Sequence, residues 1–395
     1  MAHHQVVIIG GGTAGITLAS RLRRHADVAV VDPATAHDYQ PLWTLVGAGI
    51  VPPSAARRPE ASVMPKGVAW IQDRAVGVDP ERRTVHMDRS GDLTYDVLVV
   101  CPGIQLDWDR IDGLADTLGL DGVSSNYRYD LAPTTWEFIR SLDSGTAVFT
   151  MPSGPIKCAG APQKIAYLAS DHWRSRGVLG DIDVHLVLPT PAMFGIPAFA
   201  SSLEQVVEDY GITVHFESEL VAVDAATKTA SFRGPGADGD GFTLSYDMMH
   251  VAPPQSAPDW IKRSPLSDSS PAGFVEVDQH TLQHVRYPEV FALGDAASSP
   301  NAKTGAAIRK QAPVVAENVL KVLDGATPTA SYGGYTSCPI TTSSSTMLLA
   351  EFDYSLQHTP SIPLIDTTKP RRSMWYLKRY GLPFLYWNLM LKGRA

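Results

Sequence analysis

The chain opens on a unit that few folds can accommodate. Val6-Val7-Ile8-Ile9 is an unbroken apolar run of strand length. Gly10-x-Gly12-x-x-Gly15 follows at once, then a helical pattern through Ala19, Leu22 and Arg23. A second apolar run, Val28 to Val31, ends in Asp32. A strand that is apolar on both faces belongs in a parallel sheet covered by helices. The glycines allow a tight turn and close approach of the backbone to a pyrophosphate at the helix N-terminus. An acid closing the second strand can bind a ribose 2′-hydroxyl. The glycine motif alone is a weak signal, but inside a complete strand–helix–strand unit it predicts a dinucleotide-binding domain.

The pattern occurs twice. Ala147 to Thr150 answers Val6 to Ile9, Val184 to Leu188 answers Val28 to Val31, and Tyr246 to Pro253 answers Tyr95 to Pro102. With 395 residues, 44% of them hydrophobic, the chain can fill two or three cores. The expected fold is α/β, with two Rossmann-like dinucleotide-binding domains in tandem. Residues 1–112 and 270–330 form the first, 113–269 the second, and 331–395 a C-terminal amphipathic segment. Tyr95 to Gly103 is a strand ending in a glycine turn, and Val290 to Asp295 is a strand ending in Gly294-Asp295 before a helix. Both resemble the two-dinucleotide-domain flavoproteins, where the first returns the chain from the FAD domain. The second brings an aspartate to the ribityl and pyrophosphate. The resemblance implies FAD at Gly10, Gly12, Gly15, Asp32, Gly103, Gly294 and Asp295. Lys303, ahead of the helix Ala306 to Leu323, could stabilise negative charge on a reduced flavin together with the helix dipole, or serve as a solvated cap.

The second unit departs from the first where it would bind phosphate. Gly154-Pro155-Ile156-Lys157-Cys158-Ala159-Gly160-Ala161-Pro162-Gln163-Lys164 has two prolines without N–H groups, no G-x-G-x-x-G and a cysteine at its centre. Leu188 is followed by Pro189 rather than an acid, which argues against a nicotinamide donor. A thiol at a helix N-terminus between two lysines is expected to have a depressed pKa and to react. Electrons then have to arrive through sulfur. Of the other cysteines, Cys338 lies in Tyr335 to Pro339, and Cys101 ends a buried strand and reads as a small core residue. No Cys/His spacing suggests a zinc site.

Net charge is −8, which excludes general nucleic-acid binding. The charge is uneven. After Asp366 there is no acid, but Lys369, Arg371, Arg372, Lys378, Arg379, Lys392 and Arg394. Trp375 to Lys392 is also aromatic and apolar, with Pro383 expected to break it into two short helices. This composition suits the headgroup region of an anionic bilayer. No run reaches the length of a spanning helix, and the first strand begins too early for a signal peptide. The expected location is peripheral, on the cytoplasmic face of a prokaryotic membrane.

Gly154 to Lys164 and Tyr335-Thr336-Ser337-Cys338-Pro339 resemble the two cysteine motifs of sulfide:quinone oxidoreductases. Tyr39-Gln40-Pro41-Leu42-Trp43-Thr44-Leu45-Val46-Gly47 and Pro383 to Asn388 are similar to the two-cysteine, mitochondrial-like (type II) branch. The third cysteine of other branches is missing from Gly122 to Asn126, so the FAD is expected to be non-covalent. The resemblance implies that Cys158 and Cys338 form a disulfide or sulfur-bridged pair over one flavin face. Cys158 would face the flavin, and Cys338 would carry the outgoing sulfane sulfur to sulfide, sulfite or a small thiol. Lys164 and Lys378 match lysines near the flavin and the quinone carbonyls. Trp375, Tyr376, Tyr380 and Phe384 are quinone-wall candidates from composition. The resemblance leaves association into a homo-oligomer open. A type II NADH:quinone oxidoreductase would need a nucleotide loop at 154–164 and no cysteine pair. The flavin subunit of a cytochrome-c-linked sulfide dehydrogenase would need an export signal and no membrane tail. A flavin-binding redox sensor would lack turnover.

Overall fold

The computed structural model describes residues 2–235, 241–362 and 364–395. Its larger sheet runs Ala69–Ile71, Val28–Val31, Ala2–Ile9, Leu93–Val100, Thr84–Met87, Ala75–Asp79, with Val290–Ala292 beside the last residues of Leu93–Val100. Ala2–Ile9 pairs in parallel on both sides, Val6 opposite Val28 and Val97. Val6, Val7 and Ile8 are fully buried, as an apolar run without alternation requires.

The second sheet repeats the plan. Its parallel strands run Val123–Ser124, Met248–Val251, Gly145–Thr150, Ile182–Val187, Thr213–His215. A separate antiparallel sheet, Glu219–Asp224, Thr229–Arg233 and Phe242–Ser245, answers the antiparallel edge of the first unit. The helix Ala161–Arg176 follows Gly145–Thr150 as Thr13–Leu22 follows Ala2–Ile9. An antiparallel hairpin, Thr336–Thr341 with Met347–Phe352, lays Cys338 opposite Ala350.

The tail differs from expectation. Arg372–Tyr376, Leu377–Gly381 and Leu382–Asn388 form one continuous helical run whose middle segment is a π-turn. Pro383 lacks an N–H, and its ring crowds the carbonyl one turn back. The wider π-turn just ahead of it offers a way to absorb that mismatch, so the helix continues through the proline. The tail is also docked. Tyr386, Trp387, Met390 and Leu391 are buried, and Ser20 Oγ donates to the Leu391 carbonyl at 2.6 Å. Tyr386 stacks on Tyr39 at 4.1 Å. Its hydroxyl lies 2.6 Å from His37 Nε2, whose Nδ1 is 3.2 Å from buried Glu60.

Candidate active site

The two distant cysteines meet. Cys158 Sγ and Cys338 Sγ are 4.0 Å apart, a sulfur–sulfur contact short of a bond. Cys158 lies just before the helix Ala161–Arg176 and is held at φ 51°, a left-handed conformation that is uncommon for a residue with a side chain. Its N–H donates to the Lys303 carbonyl at 3.0 Å. Cys338 comes from the hairpin, and only a glycine fits beneath it. A Cβ on Gly160 would lie 2.8 Å from Cys338 Sγ.

The charges of the pair are divided. Lys164 Nζ donates to Cys158 Sγ at 3.0 Å. The Cys338 thiol and the Lys164 ammonium hold Cys158 well below the ordinary thiol range against the opposing effect of burial. Cys338, sharing a proton with that thiolate and itself buried, is pushed well above it. Burial alone would lower the Lys164 ammonium, but the two sulfurs outweigh it and raise it. In the reduced pair the negative charge therefore sits on Cys158 and the proton on Cys338.

The first glycine loop sits close by in the fold. A Cβ on Gly15 would meet the Gly10 carbonyl at 1.8 Å, while the same position on Gly12 faces open space. That is a cradle for a phosphate at the N-terminus of Thr13–Leu22. Asp32 Oδ2 accepts from Gly11 N at 2.5 Å, which keeps the carboxylate at the loop. Gly103, at φ 85°, also faces open space. Gly294 and Asp295 lie in the 3-10 turn after Val290–Ala292. Burial raises the Asp295 carboxyl, opposed by Lys303 and Lys157.

Lys303 is buried, and its ammonium donates to the carbonyls of Asp295 at 2.8 Å and Ala297 at 3.0 Å. Of the two readings the sequence left open, the solvated cap is ruled out. In the sequence Lys157 stands out only as a neighbour of Cys158. Its ammonium bonds Gln40 Oε1 at 2.8 Å over the Trp43 ring. Around it the Trp43 indole N–H, the Gln255 amide nitrogen and both side-chain polar atoms of Asn126 are buried without partners. Orphaned groups of this kind fit a polar ring bound beside Lys157.

Lys378, on the π-turn, is buried, and its ammonium donates to the Pro41 carbonyl at 2.8 Å. Burial and the neighbouring Lys164 lower it to about 7. The four aromatic candidates do not share a surface. Trp375 is in the core, whereas Tyr376, Tyr380 and Phe384 are each 62% exposed. Cys101 is buried with its thiol toward the Gly10 carbonyl at 3.8 Å, as a core residue.

Residues 4–314 match the family described as pyridine nucleotide-disulphide oxidoreductase. The chain is 39% identical over 394 residues to the mitochondrial sulfide:quinone oxidoreductase of Mus musculus, covering 99% of this chain and 87% of the mouse protein. It is 41% identical over 395 residues to the mitochondrial sulfide:quinone oxidoreductase of Dictyostelium discoideum, covering 99% and 86%. The chain belongs to the sulfide:quinone oxidoreductase family. It is an oxidoreductase and a flavoprotein. The sulfide:quinone oxidoreductase of Aquifex aeolicus, at 19% identity, has the same fold, with a TM-score of 0.84 over 100% of this chain and 92% of that one. The mouse and Dictyostelium relatives are named as mitochondrial proteins, which lends no support to the cytoplasmic face of a prokaryotic membrane. No helix among the described residues is long and apolar enough to cross a membrane.

The turn that answers the first glycine loop is held by its own side chains. Gln163 Nε2 donates to the Met193 carbonyl at 2.6 Å, and Ser153 donates to Glu219 through both N and Oγ at 2.8 Å. The first turn of Ala161–Arg176 begins with Pro162 at its start and is buried.

Proposed function

We propose that the chain oxidises sulfide to sulfane sulfur through Cys158 and Cys338 and delivers the electrons to a membrane quinone. The observation that carries this reading is the Lys164–Cys158–Cys338 contact. In the oxidised pair, hydrosulfide attacks Cys338. The bond between the two cysteine sulfurs breaks, a persulfide forms on Cys338, and Cys158 leaves as a thiolate held by Lys164. The outer sulfur passes to sulfide, sulfite or a small thiol. The pair then closes again, giving up two electrons and the proton of Cys338. Bound FAD would accept those two electrons and return them to the quinone. Residues 1–112 and 270–330 would hold it non-covalently through Gly10, Gly12, Gly15, Asp32, Gly103, Gly294 and Asp295. Residues 113–269 supply Cys158 and Lys164, and 331–395 supply Cys338, Lys378 and the membrane contact. Lys303, with two of its three donors on backbone carbonyls, would fix the Asp295 turn.

An anaerobic sulfide titration tests this. Sulfide should bleach the flavin absorbance and raise a long-wavelength thiolate-to-flavin band, while NADH and NADPH leave the spectrum unchanged. Rapid bleaching by NADH, or silence toward sulfide, would overturn the reading and favour a type II NADH:quinone oxidoreductase.

Lys378 sets a pH limit. With its ammonium at about 7, it is charged below that pH and neutral above. As a proton donor to quinone it would be lost as pH rises, roughly tenfold per unit. Quinone-dependent reoxidation should therefore fall above about pH 7, and Lys378→Met should remove that limb. Stopped-flow reoxidation across pH measures it, and a limb that persists in the variant would assign the titration elsewhere.

A further inference from the structure

The contact between the two sulfurs is held at two places, one of them far from the sulfurs. Near the cysteines, Cys338 rests over Gly160. At the other end, the turn of the hairpin that carries Cys338 is tied to Asp171, about two turns beyond Lys164 on the same helix. Asp171 Oδ2 accepts from Ser344 N at 2.9 Å and Ser344 Oγ at 2.7 Å. Its Oδ1 accepts from Arg174 at 2.9 Å and from the Tyr210 hydroxyl at 3.2 Å. The Thr342 carbonyl, 2.9 Å from that hydroxyl, competes with Asp171 for its one proton, and Arg174 stacks over the Tyr210 ring at 4.3 Å. The carboxylate is 15% exposed and has four donors shared between its two oxygens. Tyr210 gives the hairpin turn a second tie through Thr342, but from the neighbouring helix Pro197–Tyr210, so Asp171 is the direct tie to the helix that begins beside Cys158. Charge-assisted bonds of this type are the stronger kind.

We propose that Asp171 is a positioning residue for the redox pair. It fastens the Cys338 hairpin to the helix that begins beside Cys158, and so sets how often the two sulfurs stand in contact. The inference rests on the proposed pairing of Cys158 with Cys338. An asparagine cannot reproduce the site, because its amide nitrogen would face either the Ser344 donors or Arg174 and Tyr210. Loosening the turn lowers the effective concentration of one sulfur at the other without touching either.

The test is a glutathione redox titration of the full-length protein with its flavin bound, read by thiol labelling and mass spectrometry. In it the Cys158 thiolate attacks glutathione disulfide, one glutathione leaves, and the Cys338 thiolate displaces the second. Two thiols are oxidised and one glutathione disulfide is reduced to two glutathiones. Asp171→Asn should disfavour the closed pair about tenfold, which corresponds to about 30 mV for this two-electron couple. Ser344→Ala, at an exposed turn and removing one of the four donors, should shift it in the same direction by less, and serves if Asp171→Asn does not fold. Flavin content and flavin spectrum should stay as in the native protein. A couple unchanged in both variants overturns the inference. A shifted couple in a protein that does not oxidise sulfide would uphold the positioning role and remove only the sulfide reading.

Discussion

Cys158→Ser and Cys338→Ser are each expected to abolish sulfide-driven flavin reduction, on the order of 10³-fold or more, because an activated nucleophile has no substitute once its atom is removed. A serine oxygen forms no persulfide and cannot take part in thiol–disulfide exchange. The two losses should differ in kind. Without Cys338 there is no site for the sulfane sulfur, but the Cys158 thiolate remains beside Lys164 at 3.0 Å, so any absorbance from thiolate and flavin should persist. Without Cys158 that absorbance should disappear, although Cys338 is intact. Cys101→Ser is the control. Its sulfur lies 3.8 Å from the Gly10 carbonyl, too far for a serine hydroxyl to bond as it stands, so the cost is about 1–3 kcal/mol for a buried hydroxyl while activity survives. Rapid-mixing spectra of the three variants against sulfide decide this. Sulfide-driven bleaching at the native rate in either Cys158→Ser or Cys338→Ser would refute the sulfur chemistry.

The sequence was most legible where the cause of a feature lies within one turn or one strand. Val6 to Val31 could be read because burial on both faces leaves an unbroken apolar run and because Gly10 and Gly15 answer to each other across a few residues. What stayed hidden has its cause far along the chain. Gly160 looks like an ordinary turn glycine until Cys338 is found above it. Asp171 looks like a solvated helix acid until Ser344 reaches it. Lys303 and Lys157 could not be sorted by sequence, since both flank glycine-rich turns. Only their partners, two backbone carbonyls for one and Gln40 for the other, separate them. At Pro383 the rule that proline ends a helix gives way to a π-turn. Composition does not separate the tail's aromatic residues that face the protein core from those that are exposed.

That mixture decides how the membrane contact should be tested. Tyr376, Tyr380 and Phe384 are spaced four apart, so they fall on one face, and each is 62% exposed. Arg371, Arg372 and Arg379 lie in and beside the same helix. The opposite side carries Tyr386 and Trp387, which cover His37 and Glu60. Removing residues 372–395 would uncover that buried pair, so a loss of liposome binding by the truncated protein would report unfolding as readily as lost lipid contact. Replacing Tyr376, Tyr380 and Phe384 together by serine leaves the docked side intact. Three large aromatic side chains that bury most of their exposed area at a bilayer contribute about 5 kcal/mol, allowing for the partial burial of an interfacial helix. The triple variant should therefore partition to anionic liposomes on the order of 10³-fold more weakly. What binding remains should be carried by the basic residues and fall steeply with salt. Sulfide-driven flavin reduction should stay within about twofold of native, since the Cys158–Cys338 contact and Lys164 are elsewhere, while turnover with long-tail quinone in membranes should collapse. Cosedimentation at two ionic strengths, with long-tail and water-soluble quinones compared, reads each arm separately. Native-strength cosedimentation by the triple variant would place the bilayer contact on another surface of the protein.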